Sequence, residues 1–322
     1  MKIYITRKIP DAGINKLKEK GYEIDINQED KVLAKNELIA ALQAKEYDAV
    51  LCLLTDTIDA EVFAAAPKAK IFANYAVGYN NIDVKIAGEK GIMISNTPGV
   101  LTESVAEHAI ALIFSISKRV VEADQFTRDG KFIGWAPMLF LGDDLLGKTL
   151  GLVGLGRIGA EVAKRMHDGF EMKVFYYDVS RNEELEQKYH LEYKTLEDLL
   201  KESDFVSVHV PLLPETKHLI GENQLKMMKK SAYLVNTSRG PIVDEKALVE
   251  SLKNGDIKGA ALDVYEEEPK LAAGLAELPN TVLTPHTASA TIETRSKMSE
   301  MAAENIIAAL EGQTPPNLVK AQ

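Results

Sequence analysis

The sequence predicts an α/β fold of two doubly wound parallel-sheet domains, and three observations carry that reading. Short apolar strands alternate with amphipathic helices along nearly the whole chain, the pattern of parallel sheets covered on both faces. A glycine turn, Gly154-Leu155-Gly156-Arg157-Ile158-Gly159, joins a strand to a helix near the middle. A long helical stretch from about Ala288 to Glu311 follows the last strand. Such a helix must pack on an earlier part of the chain, and returning to the first domain would make that domain discontinuous.

Length and composition bound the answer. A chain of 322 residues is long for one domain and comfortable for two, each able to bury a core. Its 38 basic and 48 acidic residues leave a net charge of −10, with no basic run. That balance argues against nucleic acid and against an anionic membrane surface as partners. Cys52 is the only cysteine, inside the apolar run Ala49 to Leu54, so neither an internal disulfide nor a cysteine metal cage can form. The start, Met1 to Thr6, alternates like a strand and does not read as a signal peptide. The longest apolar stretch, around Ala109 to Ile116, is too short to span a bilayer. The tail Val319-Lys320-Ala321-Gln322 matches no address signal, and the expectation is a cytoplasmic protein.

Residues 1–100 begin with strands at Lys2 to Thr6, Glu23 to Asn27 and Ala49 to Leu54, separated by helices at Asp11 to Lys20 and Lys35 to Ala44. Strands at Ile71 to Tyr75 and Ile92 to Asn96 continue the set. This half lacks a glycine turn of the GxGxxG kind, so a role other than cofactor binding is expected of it. Ligands of open parallel sheets bind beyond the carboxyl ends of strands. Two such ends are candidates: Leu53-Leu54-Thr55, as pocket wall or as core, and Val77-Gly78-Tyr79-Asn80-Asn81, as a plain turn or as a source of N–H groups for a carboxylate.

Asn96-Thr97-Pro98-Gly99 breaks the pattern and marks a boundary. A long helix capped by Thr102 is then expected to run to about Thr127. The segment Asp129 to Asp144 holds Trp135, Pro137, Met138 and Phe140 without a secondary-structure pattern. An apolar loop of that length is either tucked against its own chain or covered by another subunit, and we favour the subunit. The expected organisation is one domain from residues 1–100 and 288–322, and a second from residues 101–287.

The second domain carries the glycine turn between a strand, Thr149 to Val153, and a helix from Arg157 to Met166. Gly154 permits the tight turn, Gly156 lets backbone approach a pyrophosphate, and Gly159 lets helix and strand pack closely. The next strand, Lys173 to Tyr177, runs into Asp178, 19 residues beyond Gly159, where a carboxylate can accept bonds from the adenosine ribose. Strand, turn, helix and acid in that order predict a Rossmann-type dinucleotide site. Asp178 opposes a ribose 2′-phosphate and favours NAD, whereas Arg181 could pair with that phosphate and would allow NADP.

Beyond it the alternation continues with helices at Leu196 to Glu202, Asn223 to Lys229 and Glu245 to Asn254, and strands at Asp204 to Val210, Tyr233 to Thr237, Gly259 to Val264 and Thr281 to Thr284. The last three strand ends carry Arg239, Asp263 with the run Glu266-Glu267-Glu268, and His286. An arginine offers a planar fork for a carboxylate, and a histidine can hand a proton to a ketone oxygen while a carboxylate holds its ring. The set therefore predicts reduction of a 2-oxo acid by hydride transfer. His108, His167, His190, His209 and His218 lack the spacing of metal ligands, and no metal site is expected.

These stretches together resemble the D-isomer-specific 2-hydroxyacid dehydrogenases over essentially the full length, and are most similar to the glyoxylate/hydroxypyruvate reductase branch. The resemblance rests on Asn74 to Asp83, Asn96 to Thr102, Gly154 to Gly159, Asn236 to Gly240, Gly259 to Pro269 and Thr284-Pro285-His286. It implies a smaller flavodoxin-like substrate domain with the dinucleotide domain inserted in it. It implies that Arg239 binds substrate, that Glu268 pairs with the histidine, and that His286 is the general acid/base. In the family pattern, the spacings of 29 and 47 residues from Arg239 pick Glu268 out of its three-glutamate run. It further implies that Asp263 holds the nicotinamide amide and that Thr102 contacts cofactor, along with Leu155, Arg157 and Ile158 of the turn. Val77 and Gly78 would bind the substrate carboxylate through backbone N–H, and Trp135 would reach the partner's pocket in a homodimer; Leu53, at its strand end, is the further candidate for substrate. Two domains joined near Gly99 and Ala288 would close over substrate. Thr287-Ala288-Ser289 departs from the aliphatic residue and glycine more usual after the histidine. Formate dehydrogenases carry an amide where Glu268 stands, and many phosphoglycerate dehydrogenases append a domain with no room here. Glyoxylate or hydroxypyruvate is the expected substrate, with 2-ketogluconate the alternative; a dinucleotide-sensing binding protein is the reading from another class.

Overall fold

A computed structural model describes residues 1–320; the last two residues of the C-terminal tail, Ala321 and Gln322, lie outside the described residues. The chain divides into two compact units, Met1–Leu101 with the segment from Ala290 on, and Thr102–Ser289.

The first unit starts with β1 (Lys2–Ile5), α1 (Asp11–Glu19), β2 (Glu23–Ile26), α2 (Lys35–Gln43) and β3 (Ala49–Cys52). It continues with α3 (Ala60–Ala65), β4 (Ile71–Asn74), α4 (Val84–Glu89) and β5 (Met93–Ser95). The five strands are all parallel in the order β2-β1-β3-β4-β5, the flavodoxin-like arrangement. Side chains alternate between faces, so Ile3 and Ile5 enter one core while Tyr4 between them enters the other. The stretches that form α3 and α4 read as plain connections in the sequence. Each is a short helix fixed by an aspartate cap: Asp59 accepts from Glu61 N and Val62 N, and Asp83 from Ile86 N.

The second unit opens with α5 (Thr102–Ser117) and α6 (Val120–Arg128), where one continuous helix was expected. The break falls at Arg119, whose backbone is left-handed with φ 55°. No glycine or proline marks it in the sequence, and apolar spacing runs through it. Then follow β6 (Thr149–Val153), α7 (Arg157–Phe170), β7 (Lys173–Tyr177), α8 (Glu183–Tyr189), β8 (Glu192–Tyr193) and α9 (Leu196–Glu202). The remainder is β9 (Phe205–Val208), α10 (Glu222–Met227), β10 (Tyr233–Asn236), α11 (Glu245–Asn254), β11 (Gly259–Leu262) and β12 (Thr281–Leu283). Its seven parallel strands run β12-β11-β10-β9-β6-β7-β8. The order reverses between β6 and β9, which is the switch point where doubly wound sheets take a dinucleotide. One face is covered by α5 and α7 over Leu150, Leu152, Val174 and Tyr176, the other by α9, α10 and α11 over Val206, Val208, Leu234 and Ala260.

The last helix, α12 (Ile292–Leu310), packs with α1 against β3, β4 and β5, through Met298, Ala302 and Ile306. Gly13 on α1 makes this approach possible, because a side chain there would collide with the Ser299 backbone. The covering of the first sheet is therefore completed by residues from the far end of the chain.

Candidate active site

The glycine turn is built for close approach. Gly154 has φ 104°, and a Cβ there would come within 2.9 Å of His209 C and Val210 N. A Cβ on Gly159 would collide with the Gly154 carbonyl, whereas the space beside Gly156 is open. Gly156 and Arg157 lie at the start of α7, where Arg157 is exposed, Leu155 is buried and Ile158 half-buried. Asp178 directly follows β7, and its Oδ2 accepts the Leu155 N–H at 2.8 Å, so the acid and the turn are already in register. An open face at the second glycine, N–H groups at a helix start and an acid at the next strand end fit a dinucleotide pyrophosphate and ribose. Thr237 Oγ1, buried just past β10, has no hydrogen-bond partner among the described residues.

Strand register explains how distant residues meet. Asn236 pairs with Leu262 and Leu262 with Leu283, so β10, β11 and β12 end level with one another. Arg239, Asp263 and His286 emerge from those level ends. His286 Nδ1 lies 2.8 Å from Glu268 Oε2, and Glu268 Oε1 accepts the Tyr265 N–H at 3.0 Å. Burial alone would push the Glu268 carboxyl up, but His286, the Tyr265 N–H and the charge of Arg239 hold it below its ordinary value. An ionised carboxylate only accepts, so Nδ1 carries the proton toward Glu268 and Nε2 is the atom left for substrate. Arg239 donates Nη1 to the Ser238 carbonyl at 2.7 Å and forms no ion pair among the described residues. Burial pushes its pKa down, and the Glu268 charge partly restores it.

Asp263 fixes the turn that presents the histidine. His286 is left-handed, with φ 54°, a conformation a non-glycine residue keeps only where its surroundings impose it. Its N–H donates to the Asp263 carbonyl at 2.8 Å, and the next two N–H groups, of Thr287 and Ala288, donate to the Asp263 carboxylate, each at 2.8 Å. Thr284 Oγ1 donates to the same carboxylate at 2.6 Å, and His108 Nε2 from α5 lies 3.3 Å from it. Burial raises the pKa of Asp263, and these donors outweigh it and hold the group low. In the sequence His108 is an unremarkable mid-helix residue. Its partner is 155 positions away, and no local pattern announces it.

The acid loop is anchored from behind. Glu266 N donates to Glu245 Oε1 at 2.6 Å and Glu245 N to Glu266 Oε2 at 3.1 Å, a reciprocal bracket between the loop and the start of α11. His218 Nε2 adds a 2.6 Å contact to Glu266 Oε1. Of the three consecutive glutamates, then, Glu266 is structural, Glu268 faces the histidine, and Glu267 is exposed. A depression of about 750 Å³ flanks this bracket, and none of Arg239, Glu268 and His286 lines it.

In the first unit, Asn96 Nδ2 donates to the Val77 carbonyl at 2.8 Å and Asn74 Nδ2 to the Gly78 carbonyl at 2.9 Å. A trans peptide points its N–H opposite its carbonyl, so the Gly78 N–H is turned away from Asn96. Asn81 Nδ2 donates to the Leu53 and Asp56 carbonyls at 3.0 Å each, tying the two candidate loops together. Leu53 is partly buried against the core of this unit. Thr102 is the first residue of α5 and partly exposed. Trp135 and Ile133 are 85% and 99% exposed, and residues 131–139 stand clear of their own chain, whereas Phe140 packs on Phe126. His209 is pushed down to about 4 by burial and touches Ser207 Oγ at 2.9 Å, a neutral ring beside Gly154.

A glycine turn at the switch point and an arginine, an acid and a histidine on level strand ends define a dinucleotide-dependent oxidoreductase. Residues 110–288 match the model of the D-isomer specific 2-hydroxyacid dehydrogenase NAD binding domain. The chain is 54% identical over 320 residues to a protein named glyoxylate reductase from Korarchaeum cryptofilum, covering 99% of this chain and 95% of that one. A crystal structure of a Thermus thermophilus protein superposes with a TM-score of 0.93 at 43% identity, over 99% of this chain and 100% of that one. The NADPH-dependent glyoxylate/hydroxypyruvate reductase of Sinorhizobium meliloti gives 0.86 at 32% identity, over 99% and 97%. The chain belongs to the D-isomer specific 2-hydroxyacid dehydrogenase family.

Proposed function

We propose that this protein reduces glyoxylate, and hydroxypyruvate with it, to the corresponding 2-hydroxy acid, the D isomer where that acid is chiral, at the expense of NADH or NADPH. The observation that carries the reading is the 2.8 Å pair of His286 Nδ1 and Glu268 Oε2 on a strand edge shared with Arg239. Relatives of about half identity named glyoxylate reductase support the substrate. Gly154 to Gly159, Asp178 and Thr102 would hold a dinucleotide, which when bound would supply the hydride for the carbonyl carbon of the 2-oxo acid. Arg239 binds the substrate carboxylate through its fork. His286 Nε2 gives its proton to the carbonyl oxygen as that oxygen gains charge, and Glu268 remains ionised and stabilises the ring while it is protonated. In the reverse direction the same nitrogen takes the hydroxyl proton.

The active form is a homodimer in this reading, with Phe132, Ile133, Trp135, Met138 and Leu141 of the exposed segment covered by the second copy. Among the described residues no helix is long and apolar enough to cross a membrane. The acidic composition and single buried thiol are in keeping with a cytoplasmic enzyme. The test is a panel of 2-oxo acids assayed by NADH and NADPH absorbance. Glyoxylate and hydroxypyruvate should lead it in kcat/KM, and a clear lead for 2-ketogluconate would reassign the substrate.

A further inference from the structure

Two residues past the end of β7 point in opposite directions for cofactor choice. Asp178 places a negative charge where a 2′-phosphate would bring another, since its Oδ2 is fixed on the Leu155 N–H and its Oδ1 on the Val179 N–H at 2.7 Å. Arg181, three residues on, carries the planar cation that suits a phosphate. Which of them governs depends on whether the guanidinium is available.

It is engaged. Arg181 Nε lies 2.8 Å from Glu186 Oε1 and 3.0 Å from Oε2, and Nη2 lies 2.7 Å from Oε2, a forked pair along the start of α8. Exposed ion pairs are ordinarily weak because both side chains must be immobilised. Here the carboxylate is immobilised already: the Glu186 side chain is 11% exposed against 59% for Arg181, and its Oε1 also accepts the Tyr176 hydroxyl at 2.6 Å. The same hydroxyl accepts the Asn182 N–H at 2.8 Å, and Asn182 Oδ1 caps α8 on Leu185 N at 3.1 Å. Tyr176 thus ties down both the carboxylate and the backbone immediately after Arg181. Glu186 is held low and Arg181 high in pKa, as a mutually stabilised pair requires.

We propose that Glu186, held by Tyr176, is a specificity-determining residue that withholds the Arg181 guanidinium from a ribose 2′-phosphate and leaves Asp178 to select NAD. The proposal rests on the dinucleotide reading of the glycine turn. A 2′-phosphorylated ligand would meet the Asp178 charge and would gain Arg181 only by displacing an anchored carboxylate.

The experiment is calorimetric titration of ADP-ribose and 2′-phospho-ADP-ribose into the full-length protein and its variants, which reads binding without turnover. Wild type should bind ADP-ribose at least about tenfold more tightly. Glu186→Gln should tighten the 2′-phosphorylated ligand about tenfold and leave ADP-ribose within about twofold. Arg181→Ala should change neither ligand by more than about twofold, and adding it to Glu186→Gln should abolish the gain. Tyr176→Phe, which removes the anchor but keeps both charges, should move selectivity the same way by a smaller factor, and it replaces Glu186→Gln if that variant does not fold. Unchanged selectivity in the freed variants, or a loss of 2′-phospho-ADP-ribose binding of tenfold or more in Arg181→Ala, overturns the role of Glu186. Failure of wild type to bind either ligand overturns the dinucleotide reading and the proposal with it.

Discussion

His286 and Glu268, 18 residues apart in the chain, share a 2.8 Å contact because β11 and β12 end level and a single buried aspartate, Asp263, holds the turn that presents the histidine. The acid accepts from Nδ1 and so orients the imidazole. Replacing Glu268 with Gln keeps a hydrogen-bonding side chain and removes the charge. We expect kcat for glyoxylate reduction to fall about 100-fold, at the lower end of what positioned proton transfer contributes, with NADH affinity within about twofold. Equal loss of NADH affinity and turnover would place Glu268 in the cofactor site instead.

Arg239 should behave differently. Lysine keeps the charge and loses the fork, so Arg239→Lys is expected to lower kcat/KM about 100-fold, mostly through KM for the 2-oxo acid. Steady-state kinetics at saturating cofactor reads this, and an unchanged KM would contradict carboxylate binding at this position.

Asp263 gives a prediction in pH. Its pKa in the folded chain is held below the usual carboxylate value, so folding favours the ionised form. That contribution is complete above about pH 4, the ordinary value, and is lost as pH falls through the lowered one. Asp263→Asn should therefore lose about 1–3 kcal/mol of stability at neutral pH, for the charged hydrogen bonds removed, and show a shallower loss as pH falls below about 4. Denaturant unfolding at a series of pH values measures both; parallel curves for the two proteins would refute it. Because the same carboxylate holds the Thr287 and Ala288 N–H groups, kcat should fall as well.

At the glycine turn, Gly154→Ala must place a Cβ 2.9 Å from the backbone of the β9 exit at a φ of 104°. Strain of this kind costs on the order of 1–3 kcal/mol, and the melting temperature should drop by several degrees. NADH is expected to raise the melting temperature of the wild type, and that rise should vanish in the variant. Persistence of the full NADH shift would separate cofactor binding from this turn.

Much of this was legible in the sequence because its signals are local. The glycine turn with Asp178, the strand ends at Arg239 and His286, and the alternation of strands and helices all lie within short windows. What escaped was short or non-local. α3, α4, α8 and β8 are two to seven residues long, too short for periodicity to show. The break at Arg119 depends on one backbone conformation that its side chain does not announce. His108 beside Asp263, and Glu245 bracketing Glu266, are partners brought together by the sheet, and nothing near either residue distinguishes it from a solvated helix position.

The exposed segment around Trp135 tests the assembly. At 35.4 kDa per chain, sedimentation velocity should show a species of about twice that mass. Ile133→Asp, at a side chain 99% exposed in the single chain, should shift it to monomer without lowering the melting temperature of the protomer by more than a few degrees. A wild-type monomer would remove the dimer from the account.

The proton donor is the point on which the chemistry turns. Single-turnover absorbance of enzyme-bound NADH mixed with glyoxylate should show His286→Ala consuming the bound cofactor at least about 1,000-fold more slowly than wild type, while NADH still binds within about twofold. A His286→Ala protein that oxidises NADH at close to the wild-type rate would contradict the assignment of His286 Nε2 as the proton donor.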